Sequence, residues 1–385
     1  MRRGDTPAMS LATSPAARPG PDVDVLVVGA GPVGLAAAVR AREAGLDVLV
    51  VDRRGGTLDK ACGEGLLPGA LGAVRRLGVD PAGHPLAGIS YRSPGRHADH
   101  RFAAGPGRGV RRTTLHAALR ERALDAGARL EQASLQGLRQ DARGVEVDLA
   151  PAGGGATTLR AAWLLGCDGL HSTVRRLARL EADVGARPGG RAPGAGVPRY
   201  GLRQHFRVPP WGDLVEVHWA PHAEAYVTPV APDVVGVALL GPRAATPGAG
   251  GPDGFRALLR TDFPELAGRL GDAPAAGPVR GAGPLRQRSR ARAAGRVRLV
   301  GDASGYVDAL TGEGVRVGLA QADAVVRHLD DPAAYERAWR AATRDYRRLT
   351  SGLLAWAGSP ARGAIVPAAD AAPWLFGAVV ERLAR

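Results

Sequence analysis

The sequence predicts an α/β fold in which a parallel sheet with helices is joined to an antiparallel β layer and to C-terminal helices. Residues 22–28, 34–44 and 46–51 have the patterns of a strand, a helix and a second strand, and such a unit requires a right-handed crossover between parallel strands. Later strand-like runs predict an antiparallel meander over residues 200–208, 214–219, 223–230 and 234–240. The tail after residue 331 has helical patterns, with breaks expected at Pro360, Pro367 and Pro373.

Composition supports a globular protein of more than one domain. The chain has 385 residues, and domains of about 100–200 residues predict two or three. An apolar share of 45% allows a large core. Gly 55 and Pro 30 together stay below the share that is typical of low-complexity chains. No uninterrupted apolar run reaches about 18 residues, so we predict no membrane-spanning helix.

The net charge of +14 does not by itself indicate nucleic-acid binding. Lys60 is the single lysine, so almost all of the basic residues are arginines. They are scattered, and no aromatic residues alternate with them to stack on bases. We therefore interpret them as a solvated surface that helps to attract anionic ligands.

Two cysteines, Cys62 and Cys167, are too few for a disulfide framework or a cysteine metal site, so we expect a reduced, cytoplasmic protein without metal.

Residues 1–21 contain a twin arginine without a following apolar region, and we predict a disordered tail. Glycine, proline and arginine predict loops at 185–196 and 241–254. The remaining apolar patterns predict helices over 112–127, 255–270 and 314–329 and strands over 129–132, 163–167 and 297–300.

A glycine motif links the first strand to the first helix. In Gly29-Ala-Gly31-Pro-Val-Gly34, the first glycine allows a tight turn, the second lets backbone approach a pyrophosphate, and the third lets helix and strand pack closely. The helix N-terminus then offers free N–H groups to phosphates. Asp52, followed by Arg53, ends the second strand, where a carboxylate can accept a ribose hydroxyl. This pattern predicts dinucleotide binding without choosing between NAD and FAD.

Two later segments distinguish between these cofactors. Residues 166–175 read GCDGLHSTVR, and residues 301–314 read GDASGYVDALTGEG. With the first motif, they resemble the FAD-dependent oxidoreductases of the class A flavoprotein monooxygenase (aromatic hydroxylase) and geranylgeranyl reductase superfamily. The three motifs occur in the family's order over residues 23–330.

The resemblance implies a Rossmann-like FAD-binding domain of the three-layer, glutathione-reductase-like type. An inserted antiparallel β-sheet substrate domain and C-terminal helices complete the expected architecture. We expect the FAD-binding domain at residues 22–84, 106–178 and 281–330. The β domain is expected at 85–105 and 179–280, and the helical segment at 331–385.

The resemblance also implies roles for individual residues. Asp302, after Gly301, is expected to bond the ribityl chain of FAD, and the Gly312–Gly314 turn to point amides at the pyrimidine edge of the flavin, where a helix N-terminus stabilises negative charge. Asp168 and Gly169 correspond to the motif that supports the pyrophosphate region. Arg112 matches the arginine that contacts the phosphate-ribityl portion, with Arg111 as a rival.

The loop around Cys62 departs from typical aromatic hydroxylases. Residues 59–68 read DKACGEGLLP, which is similar to the cysteine-glycine loop of the geranylgeranyl reductase group, as is LTGEGV at 310–315. Cys62 is either a flavin-proximal thiol or a small buried residue. Glu64 is either a general acid or a carboxylate held by Lys60 or an arginine. Ala309 replaces the proline usual in hydroxylases before the third motif's turn.

The expected β layer carries candidate substrate contacts at His205, His218 and Tyr226. A second GxGxxG is absent from the sequence, so reduction is expected from transiently bound NAD(P)H or from a protein donor.

The first functional hypothesis is an FAD-dependent monooxygenase that uses NAD(P)H and O₂ to hydroxylate or epoxidise a small hydrophobic molecule of secondary metabolism: aromatic, polyketide or isoprenoid. The alternative is a reductase of isoprenoid or polyene double bonds. A third hypothesis is a flavin-binding protein without turnover. A halogenase is not expected, because a Trp-x-Trp-x-Ile-Pro segment is missing. Peripheral membrane contact through the apolar C-terminal segment stays open.

Overall fold

The computed structural model describes residues 20–182, 197–242 and 252–385, and the structural findings concern these residues. The predicted loop at 185–196, nearly all of the predicted tail and most of the link at 241–254 lie outside them. The helices are α1 (Pro32–Glu43), α2 (Pro68–Arg75), α3 (Arg112–Asp125), α4 (Thr173–Leu177), α5 (Pro252–Asp262), α6 (Pro264–Leu270), α7 (Gly314–Arg327), α8 (Pro332–Ala357), α9 (Ile365–Ala371) and α10 (Pro373–Ala384), with 3-10 turns at Gly301–Ser304 and Pro360–Ala364.

The strands form two large sheets and one small sheet. They are β1 (Val23–Val28), β2 (Val48–Asp52), β3 (Gly65–Leu66), β4 (His84–Leu86), β5 (Gly88–Ser93), β6 (Arg96–Arg101), β7 (Gly107–Gly109), β8 (Arg129–Gln140), β9 (Val145–Pro151), β10 (Thr157–Gly166), β11 (Arg199–Arg207), β12 (Leu214–Trp219), β13 (Glu224–Ala231), β14 (Val234–Pro242), β15 (Arg280–Ala282), β16 (Ala293–Ala294) and β17 (Val297–Leu299).

The first sheet has a parallel centre in the order β8-β2-β1-β10-β17. Val25 of β1 lies between Val48 of β2 and Trp163 of β10. The outer halves of β8 and β10 continue beyond this centre and pair antiparallel with β9, forming a three-stranded ribbon. The predicted β-α-β unit is therefore confirmed, and the strand expected at 129–132 is longer than predicted because it runs into this ribbon.

Alternating side chains of the first sheet build two cores. Val25 and Val27 pack on the helical side, where α1 contacts α3 and α7. Leu26 and Val28 point to the opposite side and pack with the ribbon. Because both faces are covered, the central strands β1 and β2 are apolar except for Asp24 and Asp52. The result is the expected arrangement of helices, parallel sheet and ribbon in three layers.

The second sheet has the order β15-β11-β14-β13-β12-β5-β6. The prediction of a simple meander is wrong in one respect: β11 pairs with β14 and not with β12. β12 instead pairs in parallel with β5, which comes from much earlier in the chain. One face of this sheet packs against α5 and α6 through Phe206, Phe255 and Phe263.

The C-terminal segment is helical, as predicted. Its breaks fall at Pro360 and Pro373, whereas Pro367 lies inside α9. Pro367 occupies the first turn of that helix, where its missing N–H removes no intrahelical bond. Similarly, the single helix expected at 255–270 is interrupted at Phe263, before Pro264.

Within the described residues, no individual helix has the length and apolar character needed to cross a membrane. The bent pair Pro360–Ala371 and Pro373–Ala384, at 99° to each other, meets the length and composition test only when its two halves are combined.

Candidate active site

A cavity of about 1140 Å³ lies between the first sheet and the second. One wall is formed at the carboxyl ends of the parallel strands, by residues such as Val28, Asp52, Cys167 and Val300. This is where ligands bind in open α/β sheets. The cavity exceeds the roughly 300–1,000 Å³ of ordinary ligand sites, so it has room for a cofactor together with a substrate.

The glycine turn after β1 has the geometry expected for a phosphate site. Gly29 has φ 110°, and a Cβ there would come within 2.5 Å of the Cys167 carbonyl oxygen. A Cβ on Gly34 would overlap the carbonyl oxygen of Gly29, which explains the close approach of α1. A Cβ added to Gly31 would have no heavy atom within 4 Å. Gly29 and Gly31 line the cavity, whereas Gly34 packs behind it.

Asp52 organises the end of β2 beside this turn. Its carboxylate accepts the backbone N–H of Ala30 at 3.0 Å and that of Arg54 at 2.9 Å. Asp52 and Arg53 both line the cavity. Arg54 Nε also donates to this carboxylate, at 3.3 Å to the oxygen that accepts the Arg54 N–H, so the carboxylate is held facing the cavity and its other oxygen keeps a lone pair for a ligand hydroxyl.

Asp302 lines the cavity after the end of β17, in the 3-10 turn that begins at Gly301. Burial raises the pKa of its carboxyl, and the positive charges of Lys60 and Arg112 act in the opposite direction. Among the described residues, no donor bonds this carboxylate. A buried carboxylate without a donor is suited to accept hydroxyl groups from a ligand.

Arg112 lies on the same cavity wall, and its Nε is buried without a partner in the described structure. Arg111, the rival candidate, occupies the N-cap position of α3 and also has a buried Nε without a partner in the described structure, but it is not among the residues that line the cavity.

The N-terminus of α7 faces the cavity through Gly312 and Gly314. Gly312 has φ 70°, a conformation that favours glycine. A Cβ added to Gly312 would have no heavy atom within 4 Å. The Gly312 N–H itself donates to the Ala309 carbonyl at 3.0 Å, so the N–H groups left for a ligand at this end are those of the first turn of α7, together with the positive end of its helix dipole.

Asp168 and Gly169 also line the cavity. The Asp168 carboxylate accepts the Ser172 hydroxyl at 2.5 Å and the Val174 N–H at 3.1 Å. Burial raises the pKa of Asp168, while these hydrogen bonds oppose the shift. Asp168 thus fixes the turn into α4 directly behind the glycine turn.

The loop with Cys62 forms another part of the wall. The Glu64 N–H donates to the Cys62 Sγ at 3.4 Å, and the Thr228 hydroxyl donates to the Gly63 carbonyl at 2.8 Å. Glu64 has φ 61°, an unusual conformation for a residue other than glycine. The loop is therefore held against β13 with Cys62 and Glu64 both at the cavity boundary.

The Glu64 carboxylate is held by a backbone N–H group and by a histidine, not by the lysine or arginine side chain that the sequence suggested. One carboxylate oxygen accepts the backbone N–H of Arg112 at 2.7 Å, and the other lies 2.6 Å from His205 Nε2. Neither Lys60 nor an arginine side chain binds it in the described structure. The carboxylate sits at the N-terminus of α3, where negative charge is favoured.

The contact with Arg203 decides which ring nitrogen of His205 carries the hydrogen. Arg203 Nη1 lies 2.8 Å from His205 Nδ1, and a guanidinium can only donate. His205 Nδ1 must therefore accept, so Nε2 carries the hydrogen and donates it to Glu64. Arg203 also binds the Asp59 carboxylate and the Lys60 carbonyl, so the chain of contacts reaches back to the start of the loop.

The far end of the cavity is apolar. Its wall is the inner face of the second sheet and the last helix: Ile89, Tyr91, Val215, Val217, Tyr226, Ala238, Leu240, Val380 and Leu383. Of the predicted substrate contacts, only Tyr226 lies here, and its hydroxyl donates to the Leu310 carbonyl at 2.7 Å. His205 is buried behind the wall, and His218 faces away, 2.9 Å from Glu216.

The structure therefore brings nearly all of the sequence-predicted site residues to one cavity. The sequence does not by itself place Lys60 at the site, but this residue lines the same cavity. Its signal in the sequence is that it is the only lysine. No group of three potential metal ligands occurs within residues 20–182, 197–242 and 252–385.

Comparison with known proteins agrees with this geometry. Residues 22–188 match the family described as FAD binding domain. Rifampicin monooxygenase from Rhodococcus hoagii is 36% identical over 168 residues, which cover 40% of this chain and 33% of that protein. Menaquinone reductase from Mycolicibacterium smegmatis is 57% identical over 56 residues, 14% of each chain. Digeranylgeranylglycerophospholipid reductase 2 from Methanopyrus kandleri is 30% identical over 167 residues, 41% of this chain and 40% of that one.

Solved structures share the fold. A flavoprotein/dehydrogenase from Cytophaga hutchinsonii superposes with a TM-score of 0.78 at 17% identity, covering 94% of this chain and 92% of that chain. A flavin-dependent halogenase reaches a TM-score of 0.73 at 20% identity, with 86% and 64% coverage. At these identities the likeness concerns the fold alone.

The chain carries an FAD binding domain, with the α/β fold of the flavoproteins. The resemblance to the monooxygenase and geranylgeranyl reductase superfamily is confirmed, because relatives of both kinds match. The matches span about a third or less of the length of the first two relatives described above. The open space at Gly31 and Gly312, the free Asp302 carboxylate and the unpartnered Arg112 Nε fit this cofactor.

Proposed function

We propose that the protein is an FAD-dependent monooxygenase that uses NAD(P)H and O₂ to hydroxylate or epoxidise a small hydrophobic molecule. The observation that carries this proposal is the continuity of the cavity. Its charged end holds the three FAD motifs, and its apolar end offers a chamber beside them. The named activity of rifampicin monooxygenase supports the reaction class.

The chain's own residues bind and orient in this proposal. Asp302 accepts ribityl hydroxyls, Arg112 offers its unpartnered N–H groups to the phosphate-ribityl portion, and the α7 N-terminus directs amides at the flavin edge. FAD, when bound, supplies the exchange of electrons with NAD(P)H and the activation of O₂. The apolar wall excludes water from the place where the substrate lies.

The substrate class follows from the lining of the apolar end. Aliphatic side chains from β12, β14 and α10 form most of it, and no charged side chain is among them. Tyr91 and Tyr226 provide aromatic surface, and the Tyr226 hydroxyl is already engaged. An uncharged aromatic, polyketide or isoprenoid compound fits this chamber, whereas an ionised substrate would lose its hydration without a partner.

The test is NADPH-driven O₂ uptake by the FAD-loaded protein with a panel of aromatic polyketides, rifamycins and isoprenoid quinones. We expect at least one compound to accelerate NADPH oxidation together with O₂ uptake, and its product to gain one oxygen atom from ¹⁸O₂ by mass spectrometry. Substrate conversion that proceeds equally well without O₂, with no oxygen incorporated, would contradict the proposal.

A second candidate is a reductase of carbon–carbon double bonds. The specific observation in its favour is the Cys62 loop on the cavity wall, supported by the similarity to menaquinone reductase and to digeranylgeranylglycerophospholipid reductase 2. This activity would proceed anaerobically and add two hydrogen atoms to the product. The same assay under nitrogen separates the two candidates.

A further inference from the structure

Lys60 lies where the glycine turn and the second motif meet. It lines the cavity, and a Cβ added to Gly169 would be 3.4 Å from its Nζ. Gly169 follows Asp168, whose backbone nitrogen would be 2.8 Å from a Cβ on Gly29. The amine is therefore close to the turn at which a pyrophosphate approaches the backbone.

The backbone of Lys60 is fixed, although its side chain is not. Arg203 donates to the Lys60 carbonyl at 3.1 Å. The preceding residue, Asp59, binds Arg203 and also accepts from Arg280 Nε at 3.1 Å. Four residues later, Glu64 is bound at both oxygens. The loop is anchored on both sides of Lys60, and the side chain extends from it into the cavity.

The charge of Lys60 has no partner in the described structure. No described residue accepts a hydrogen bond from its amine or forms an ion pair with it. The side chain is exposed to the open cavity; partial desolvation and the nearby cations Arg54 and Arg112 lower the pKa of Lys60, against the opposing effect of Asp302 and Asp52. The Lys60 amine therefore lies near two other cations and has no acceptor among the described residues. An anion binds favourably at such a place.

We propose that Lys60 binds the pyrophosphate of FAD and thereby attaches the loop of residues 59–64 to the cofactor. The inference rests on FAD binding by this chain and not on which reaction the protein catalyses. It gives the single lysine a ligand, and it gives the Cys62 loop a connection to the cofactor besides its contacts with the second sheet.

The experiment measures binding of FAD and of riboflavin to the full chain after removal of bound flavin. Lys60→Met removes the charge at similar length, and Lys60→Arg keeps the charge. Arg348→Met removes one exposed charge from α8 and serves as the control for net charge. We expect Lys60→Met to weaken FAD binding about ten- to hundredfold, the range for a hydrogen bond to a charged group. Riboflavin, which has no phosphate, should bind all variants equally.

A spectroscopic measurement complements the titration. Reductive methylation with ¹³C-formaldehyde labels only Lys60 and the N-terminal amine, because the chain has no other lysine. We expect FAD to shift the dimethyl-Lys60 resonance and to raise the pKa of Lys60, since a bound anion favours the charged amine. Riboflavin should leave the pKa of Lys60 unchanged.

Three outcomes would overturn the inference. They are FAD binding by Lys60→Met within threefold of wild type, an equal loss of FAD and riboflavin binding, and a Lys60 resonance that does not respond to FAD. The wild-type titration checks FAD binding separately. A wild-type chain that binds no FAD would refute the proposed function as well, whereas a defect confined to Lys60→Met supports the inference whatever the reaction proves to be.

Discussion

Glu64→Gln tests the buried contacts that hold the Cys62 loop. Both partners of the carboxylate are donors, the Arg112 N–H at 2.7 Å and His205 Nε2 at 2.6 Å. Glutamine keeps the shape but replaces one acceptor oxygen by an NH₂ group, which must then face another donor. His205 cannot adapt by moving its hydrogen, because Arg203 donates to its other nitrogen.

The expected loss of folding stability comes from these two contacts. A buried donor left without an acceptor costs about 1–3 kcal/mol, and removal of the negative charge from a helix N-terminus costs about 0.3–2 kcal/mol more. Together these two losses should lower the free energy of unfolding of Glu64→Gln by about 1–5 kcal/mol in guanidinium denaturation. Glu131→Gln, at an exposed position, should change it by less than about 0.5 kcal/mol.

A double-mutant cycle tests the reasoning about the hydrogen on His205. Arg203→Met frees His205 Nδ1, so the imidazole can move its hydrogen and accept from the glutamine. The cost of Glu64→Gln should then be smaller in the Arg203→Met background than in wild type. An unfolding free energy of Glu64→Gln within about 0.5 kcal/mol of wild type, or equal costs in both backgrounds, would refute the assignment.

Three further predictions concern the cofactor, the thiol and acid stability. Asp302→Ala should weaken FAD binding about ten- to hundredfold, because a carboxylate that accepts ribityl hydroxyls is lost; fluorescence titration measures this. Cys62→Ser should leave turnover within about threefold if the thiol mainly packs in the wall, whereas a role as proton donor predicts a loss on the order of 10²–10⁴. Stability should fall with acid: burial acts to raise the pKa of Glu216, but His218 and Arg92 outweigh it and lower the pKa. Its contribution is therefore present above pH 4.5, the ordinary pKa of glutamate, and is lost as pH falls through the lowered value.

Each of these predictions has a contradicting result. An unchanged dissociation constant for Asp302→Ala would show that the third motif does not contact FAD. A hundredfold loss in Cys62→Ser, with FAD content unchanged and full anaerobic activity, would favour the reductase over the monooxygenase. Denaturation curves measured from about pH 6 to pH 3 should converge for wild type and Glu216→Gln at the acid end, and a constant difference between them would contradict the proposed role of Glu216.

The sequence by itself predicts the parts of this protein whose information is local. The β-α-β unit follows from apolar patterns within about thirty residues, and the structure forms it at Val23–Asp52. The glycine positions follow from backbone geometry that only glycine adopts easily, as at Gly29 and Gly312. The carboxyl ends of parallel strands meet at one edge, so the motifs after β1, β10 and β17 converge on one cavity.

The tertiary structure decides which distant residues meet. The strand patterns at 199–242 do not reveal that β11 pairs with β14 or that β12 pairs with β5, because pairing depends on packing between faces far apart in sequence. Likewise, no local pattern connects Glu64 with His205, which are 141 residues apart, or shows that the Lys60 amine at the cavity has no hydrogen-bond partner among the described residues. The motifs determine where the cofactor lies, whereas the charges and hydrogen bonds around it depend on the folded arrangement of the loop, α3 and β11.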